Sequence, residues 1–162
     1  METGSLLFFN CNEQTMFYSI IKNSHSGFRW VLLVMLIIVV VTSLVKWINK
    51  TEFKNGHGKL VSFSVMAAHI QLLLGIILYF ISPKVVFSAE TMKSDILRFF
   101  TVEHSLMMLI AIAIITIGGS RVKKAATSPV KFKRAFLFFG AGLLIILLMI
   151  PWPFESYGAG WF

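Results

Sequence analysis

The stretch Lys59-Leu60-Val61-Ser62-Phe63-Ser64-Val65-Met66-Ala67-Ala68-His69-Ile70-Gln71-Leu72-Leu73-Leu74-Gly75-Ile76-Ile77-Leu78-Tyr79-Phe80-Ile81-Ser82-Pro83-Lys84 carries no charged side chain between its terminal lysines. A hydrocarbon core takes about 20 helical residues at roughly 1.5 Å rise each, so this run is long enough to cross a membrane. His69 and Gln71 nevertheless sit near its middle, where an unpartnered polar group costs several kcal/mol. An ionisable side chain at that depth is a functional-site candidate by default.

The composition around the run agrees. The chain has 162 residues, 57% hydrophobic and 14% charged, and a mean hydropathy of +0.81. Too little polar surface remains to coat a water-soluble globule, which leaves one membrane-embedded domain. The formal charge of +8 would suit nucleic acid, but the basic residues flank apolar runs without interleaved aromatics or a zinc pattern. They read as topology signals, and no nucleic-acid partner is expected. The one cysteine, Cys11, excludes an internal disulfide and a cysteine-based metal cluster.

Three further apolar runs complete the pattern. Residues 1–24 form a mixed segment without a signal-peptide pattern, in which Met16 is an alternative start. The first span is expected over 28–48, with Ser24 or Ser26 as N-cap and Arg29 and Trp30 as interfacial anchors. The second covers about 60–81 and stops at Ser82-Pro83, because proline lacks an N–H and disfavours helix before it. The third is read over 98–118, extending back toward Ser94, and the fourth over 135–150. A short tail, 155–162, follows Pro151-Trp152-Pro153-Phe154. The expected architecture is all-α: an integral membrane four-helix up-down bundle over 25–154.

Of the 15 Lys and Arg, four lie between Lys46 and Lys59 and six between Arg121 and Arg134. The positive-inside rule puts both of those connections in the cytoplasm, with both termini outside. His57, in the Gly-rich stretch of the first connection, is expected to be solvated.

Depth arguments bring the polar residues together. His69 precedes Ile81 by twelve residues, about 18 Å of helix, and His104 lies about 15 Å into a third helix that starts near Ser94. The two imidazoles are therefore expected at similar depth on adjacent antiparallel helices, with His25 nearer the outer mouth of the first. Inward histidines at matched depth are a common way to hold a haem in a helix bundle, and His69 and His104 are the candidate metal ligands. His25 is the substitute for either of them. A polar inter-helix contact or a proton relay would use the same residues. Gln71 points nearly opposite His69 and is expected to bond another helix. Arg29 is read as a partner for a haem propionate or for Glu103, or as an anchor beside Trp30. Arg98 is the other candidate partner of Glu103. Gly75, Gly118-Gly119 and Gly140-Ala141-Gly142 mark expected close helix approaches.

The motifs His25-Ser26-Gly27-Phe28-Arg29-Trp30, His69-Ile70-Gln71-Leu72-Leu73-Leu74-Gly75 and Val102-Glu103-His104-Ser105-Leu106-Met107-Met108 resemble a family of small four-helix bacterial membrane proteins labelled cytochrome b-like. The resemblance runs from about Met16 to Pro151. The design is more distantly similar to cytochrome b561 and to one half of haem A synthase. What the resemblance implies is a haem b carried by His69 and His104, or with His25, and electron transfer in the bacterial cytoplasmic membrane to quinone or a larger respiratory complex. The chain lacks the four-histidine set of cytochrome b561, which argues against two haems. Two rival readings use the same residues. One is a haem-free accessory subunit or assembly factor of a membrane complex; the other is a small proton-coupled carrier built on Glu103 and His104. No pattern for hydrolysis or nucleotide binding is present.

Overall fold

The computed structural model describes the backbone of residues 3–152, 154 and 157, and the side chains of those from Glu13 onward. The chain forms α1 (Thr3–Ile48), α2 (Asn55–Ile81), α3 (Asp95–Lys123) and α4 (Ser128–Met149). All four are long and apolar enough to cross a membrane, α1 over Glu13–Ile48. No strand occurs among the described residues. Cys11 and most of the tail, 155–162, lie outside the described side chains.

Four helix boundaries differ from the expected spans: α3 runs on to Lys123, five residues past 118, and the other three have local reasons. α1 runs unbroken through Ser24-His25-Ser26-Gly27, so neither serine caps it. Serine and glycine in a helix interior cost at most about 1 kcal/mol each, which contacts to neighbouring helices readily offset. α1 ends at Ile48 as expected, and just beyond, the positive φ of 49° at Lys50 lets the N–H of Thr51 reach back to the Lys46 carbonyl at 3.0 Å. α2 begins at Asn55, five residues before the expected start, because Phe53 and His57 are held inside. α4 begins at Ser128, with Pro129 in its first turn. Lys131, Lys133 and Arg134 therefore ride on helix, and the connection from α3 is only residues 124–127. The expected stop of α2 at Ile81 stands.

α1 and α3 each pack against both α2 and α4, so α1 faces α3 across the diagonal. Leu36, Val39, Val61, Ile115, Phe132 and Phe139 fill the axis with almost no exposure. The outward faces carry Leu73, Leu106, Leu144 and Leu148 instead of charges. A helix apolar on every side belongs in lipid. The α3–α4 seam depends on missing side chains: a Cβ on Gly118 would lie 2.4 Å from that of Phe138, and one on Gly142 would lie 2.5 Å from Ile115.

His57 is not solvated. It is 5% exposed, its Nε2 lies 2.9 Å from the Ser43 hydroxyl, and its ring packs edge-on against Phe53 and Phe132. Phe53 is pinned there by its N–H, which donates to the Ser128 hydroxyl at 3.0 Å. The connection folds inward because an imidazole with one satisfied nitrogen and two aromatic walls gains more from burial than from water.

Candidate functional site

The polar residues of the opposite half of the bundle converge on one interior level. Along α2, Ser64, Ala67, Ala68 and Gln71 are buried, the i, i+3, i+4, i+7 stripe of a packed face. Gln71 therefore points inward, and its amide N–H donates to the backbone carbonyl of His25 at 2.9 Å and approaches the His25 Nε2 at 3.4 Å. The expected inter-helix bond of Gln71 is thus made to α1. Gly75, one turn on, would place a Cβ only 3.2 Å from the His25 ring. A glycine at this position gives that ring its place.

His104 arrives from α3 by an irregular route. Residues Phe99–Glu103 form a π turn, in which the His104 N–H bonds the Phe99 carbonyl five residues back. The wide turn takes in one extra residue and re-aims the helix by about 100°. Carbonyls loosened by it find side-chain donors: the Tyr79 hydroxyl donates to Thr101 at 3.0 Å and the Ser105 hydroxyl to Phe100 at 2.8 Å. Glu103 turns back to Arg98, Oε1 to Nε 2.8 Å, while Arg98 also holds Asp95 at 3.0 Å. Of the two partners expected for Glu103, Arg29 and Arg98, the fold supplies Arg98.

The ring of His104 is fixed by the end of α4. Its Nδ1 lies 2.7 Å from the Met149 carbonyl; a carbonyl only accepts, so Nδ1 carries the proton and Nε2 of the neutral ring keeps its lone pair. His25, Arg29 and His104 lie close enough to interact electrostatically with one another. Arg29 is 7% exposed and stacks its guanidinium over Trp30 at 5.0 Å. Two buried atoms here, Nδ1 of His25 and Oε1 of Gln71, have no hydrogen-bond partner among the described residues. Such orphans are uncommon in a folded interior and call for an occupant.

Aromatic rings close this end of the bundle. Trp30 meets Trp152 at 6.2 Å and Tyr157 stacks on Phe99 at 4.1 Å. Lys84 lies over the Phe100 ring at 4.7 Å and donates to the Tyr157 carbonyl. Partial burial and then the nearby Lys22 hold its ammonium below the ordinary lysine range.

His69 is elsewhere. It lies on the exposed face of α2, where Nδ1 donates to the Val65 carbonyl at 2.8 Å and Nε2 lies 3.3 Å from the Thr116 hydroxyl. Thr116 is twelve residues past His104, about 18 Å of helix. The expected meeting of His69 and His104 at one depth is therefore not what the fold builds. α3 begins about a turn further out than α2 ends, as the Tyr79–Thr101 contact shows. His104 is three residues inward of that contact and His69 is ten. His25, on the diagonal helix, is the histidine near enough to His104 to interact with it electrostatically.

The roles of Tyr79, Thr101 and the Met149 carbonyl were not visible in the sequence. The packed face of α2 was not visible there either: an inward His69 would turn Ser62, Val65, Met66 and Leu73 inward, whereas the fold buries Ser64, Ala67, Ala68 and Gln71 and leaves His69 off that face. Comparison with family models, with curated proteins and with solved structures gives no match to this chain, so the chemistry has to be argued from the geometry.

Proposed function

We propose that the protein is a single-haem membrane protein that transfers electrons, in which His25 and His104, in place of His69 and His104, would hold the haem. The observation that carries this reading is the convergence of two imidazoles from diagonal helices, one with its lone pair set by Met149, beside a buried guanidinium.

The donor chemistry fits a haem and does not fit a bare ion. Among the described residues no three His, Cys, Asp or Glu come together, so two imidazoles serve only a metal that brings its remaining ligands with it. The orphaned, buried His25 nitrogen is the local sign of a place held for another group. Haem b, when bound, supplies reversible one-electron chemistry. The residues of the chain do the rest. The Met149 carbonyl holds the His104 tautomer and raises its basicity, the usual outer-sphere support of a ligand histidine. Gln71 steadies α1 at His25. Arg29 offers a buried positive charge to a propionate carboxylate, and the aromatic cap keeps water from that end.

The same reading places the protein in the bacterial cytoplasmic membrane with both termini on the outer side, and the histidine site in the outer half. Its electron partners would be a quinone or a larger respiratory complex.

The test is the reduced-minus-oxidised spectrum and pyridine haemochrome of protein purified from a haem-replete native membrane. About one haem b per chain is expected, lost in His25→Ala and in His104→Ala and kept in His69→Ala. Loss in His69→Ala with retention in His25→Ala would restore the first pairing. Haem-free wild-type protein would leave the accessory-subunit reading.

A further inference from the structure

The basic end of the bundle, opposite the histidine site, carries a second feature. A cavity of about 500 Å³ opens there between the start of α2, the end of α3 and the first turn of α4. Its rim holds Lys59, Lys123 and Lys131, one from each helix. A second cavity of about 280 Å³ continues it along the α2–α3 groove, and the two share Ser62 and Lys123. The groove is walled by Val61 and Val65, and it narrows where a Cβ on Gly119 would lie 2.8 Å from Val65.

We propose that this groove holds an anionic phospholipid of the leaflet at the basic end, its phosphate among Lys59, Lys123 and Lys131 and one acyl chain lying along α2 and α3. Three features support that occupant. Three ammonium groups from three helices converge, and among the described residues none of them forms an ion pair, not even with Glu52 of the same end. The first turn of α2, with Asn55 and Gly58 on the cavity wall, adds the positive end of a helix dipole. Past the lysine rim the lining is uncharged, Val61, Val65 and Gly119 beside the hydroxyls of Ser62, Ser120 and Thr116, so charge is confined to the headgroup end of the groove. Basic pockets between membrane helices at a leaflet surface are the usual seat of anionic headgroups. A soluble anion would use the lysines but not the apolar continuation.

Native mass spectrometry of the full chain released from detergent tests this, with dioleoyl phosphatidylglycerol, dioleoyl phosphatidylcholine and inorganic phosphate as probes. The wild type should retain phosphatidylglycerol over phosphatidylcholine by about tenfold, and the triple variant Lys59→Gln, Lys123→Gln, Lys131→Gln should lose that preference. Ser62→Trp, which fills the groove without changing charge, should weaken binding as well. A control triple, Lys50→Gln, Lys54→Gln, Lys124→Gln, removes equal charge from the same end and should leave binding unchanged. Equal loss in both triples would mean diffuse charge attraction and overturn the site. So would equal retention of phosphatidylcholine, or displacement of the lipid by millimolar phosphate. Haem content plays no part in this readout.

Discussion

At the scale of single residues, the two buried histidine environments differ in what surrounds them. His57 is closed on both sides by phenylalanine and bonds one hydroxyl, so it acts as a core residue that satisfies its own polarity. His57→Ala should therefore cost about 2–4 kcal/mol and Ser43→Ala about 1 kcal/mol, measured by unfolding in mixed detergent. A His57→Ala change of no consequence would mean that the ring is wetted after all. His25 and His104 keep company with a guanidinium and with orphaned polar atoms, which is the environment of a site. That contrast was not legible beforehand. A Gly-rich, Lys-flanked stretch predicts water for His57, and only Phe132 and Ser43, remote in the chain, reverse it.

At the scale of elements, the helices are ordinary except in two places. The π turn over Phe99–Glu103 aims His104 inward while leaving Glu103 to Arg98. The α3–α4 seam closes over Gly118 and Gly142, where added carbons would meet Phe138 and Ile115. Gly140, on the same helix, has its nearest neighbour 4.0 Å from a would-be Cβ. Gly118→Ala should thus destabilise by about 1–3 kcal/mol and Gly140→Ala by less than about 0.5 kcal/mol, read as midpoint shifts in the same unfolding assay. Equal effects would remove the close-approach account of the seam. The sequence marks both glycines as candidates for tight packing, but the partner that decides between them belongs to another helix.

At the scale of the whole molecule, polar features occupy the two ends differently. One end collects ten of the fifteen basic residues and the cavity rimmed by Lys59, Lys123 and Lys131. The other holds His25, His104, Arg29 and the aromatic cap. With the proposed orientation, a cysteine at Ala126 should resist a membrane-impermeant maleimide in intact cells while one at Ser88 reacts, both read as mass shifts on gels. The reverse pattern would invert the topology and move the histidine site to the cytoplasmic half.

By itself the sequence determined that this is an all-α membrane chain of four spans, because apolar run length, flanking charge and Pro83 act locally and need no partner. It also showed Gln71 to be opposite His69, since that follows from 100° per residue. Only the tertiary structure decided which histidines meet. Depth and facing depend on where each helix begins relative to its neighbours: a one-turn stagger moves the level of His104 away from that of His69, and one π turn re-aims its side chain.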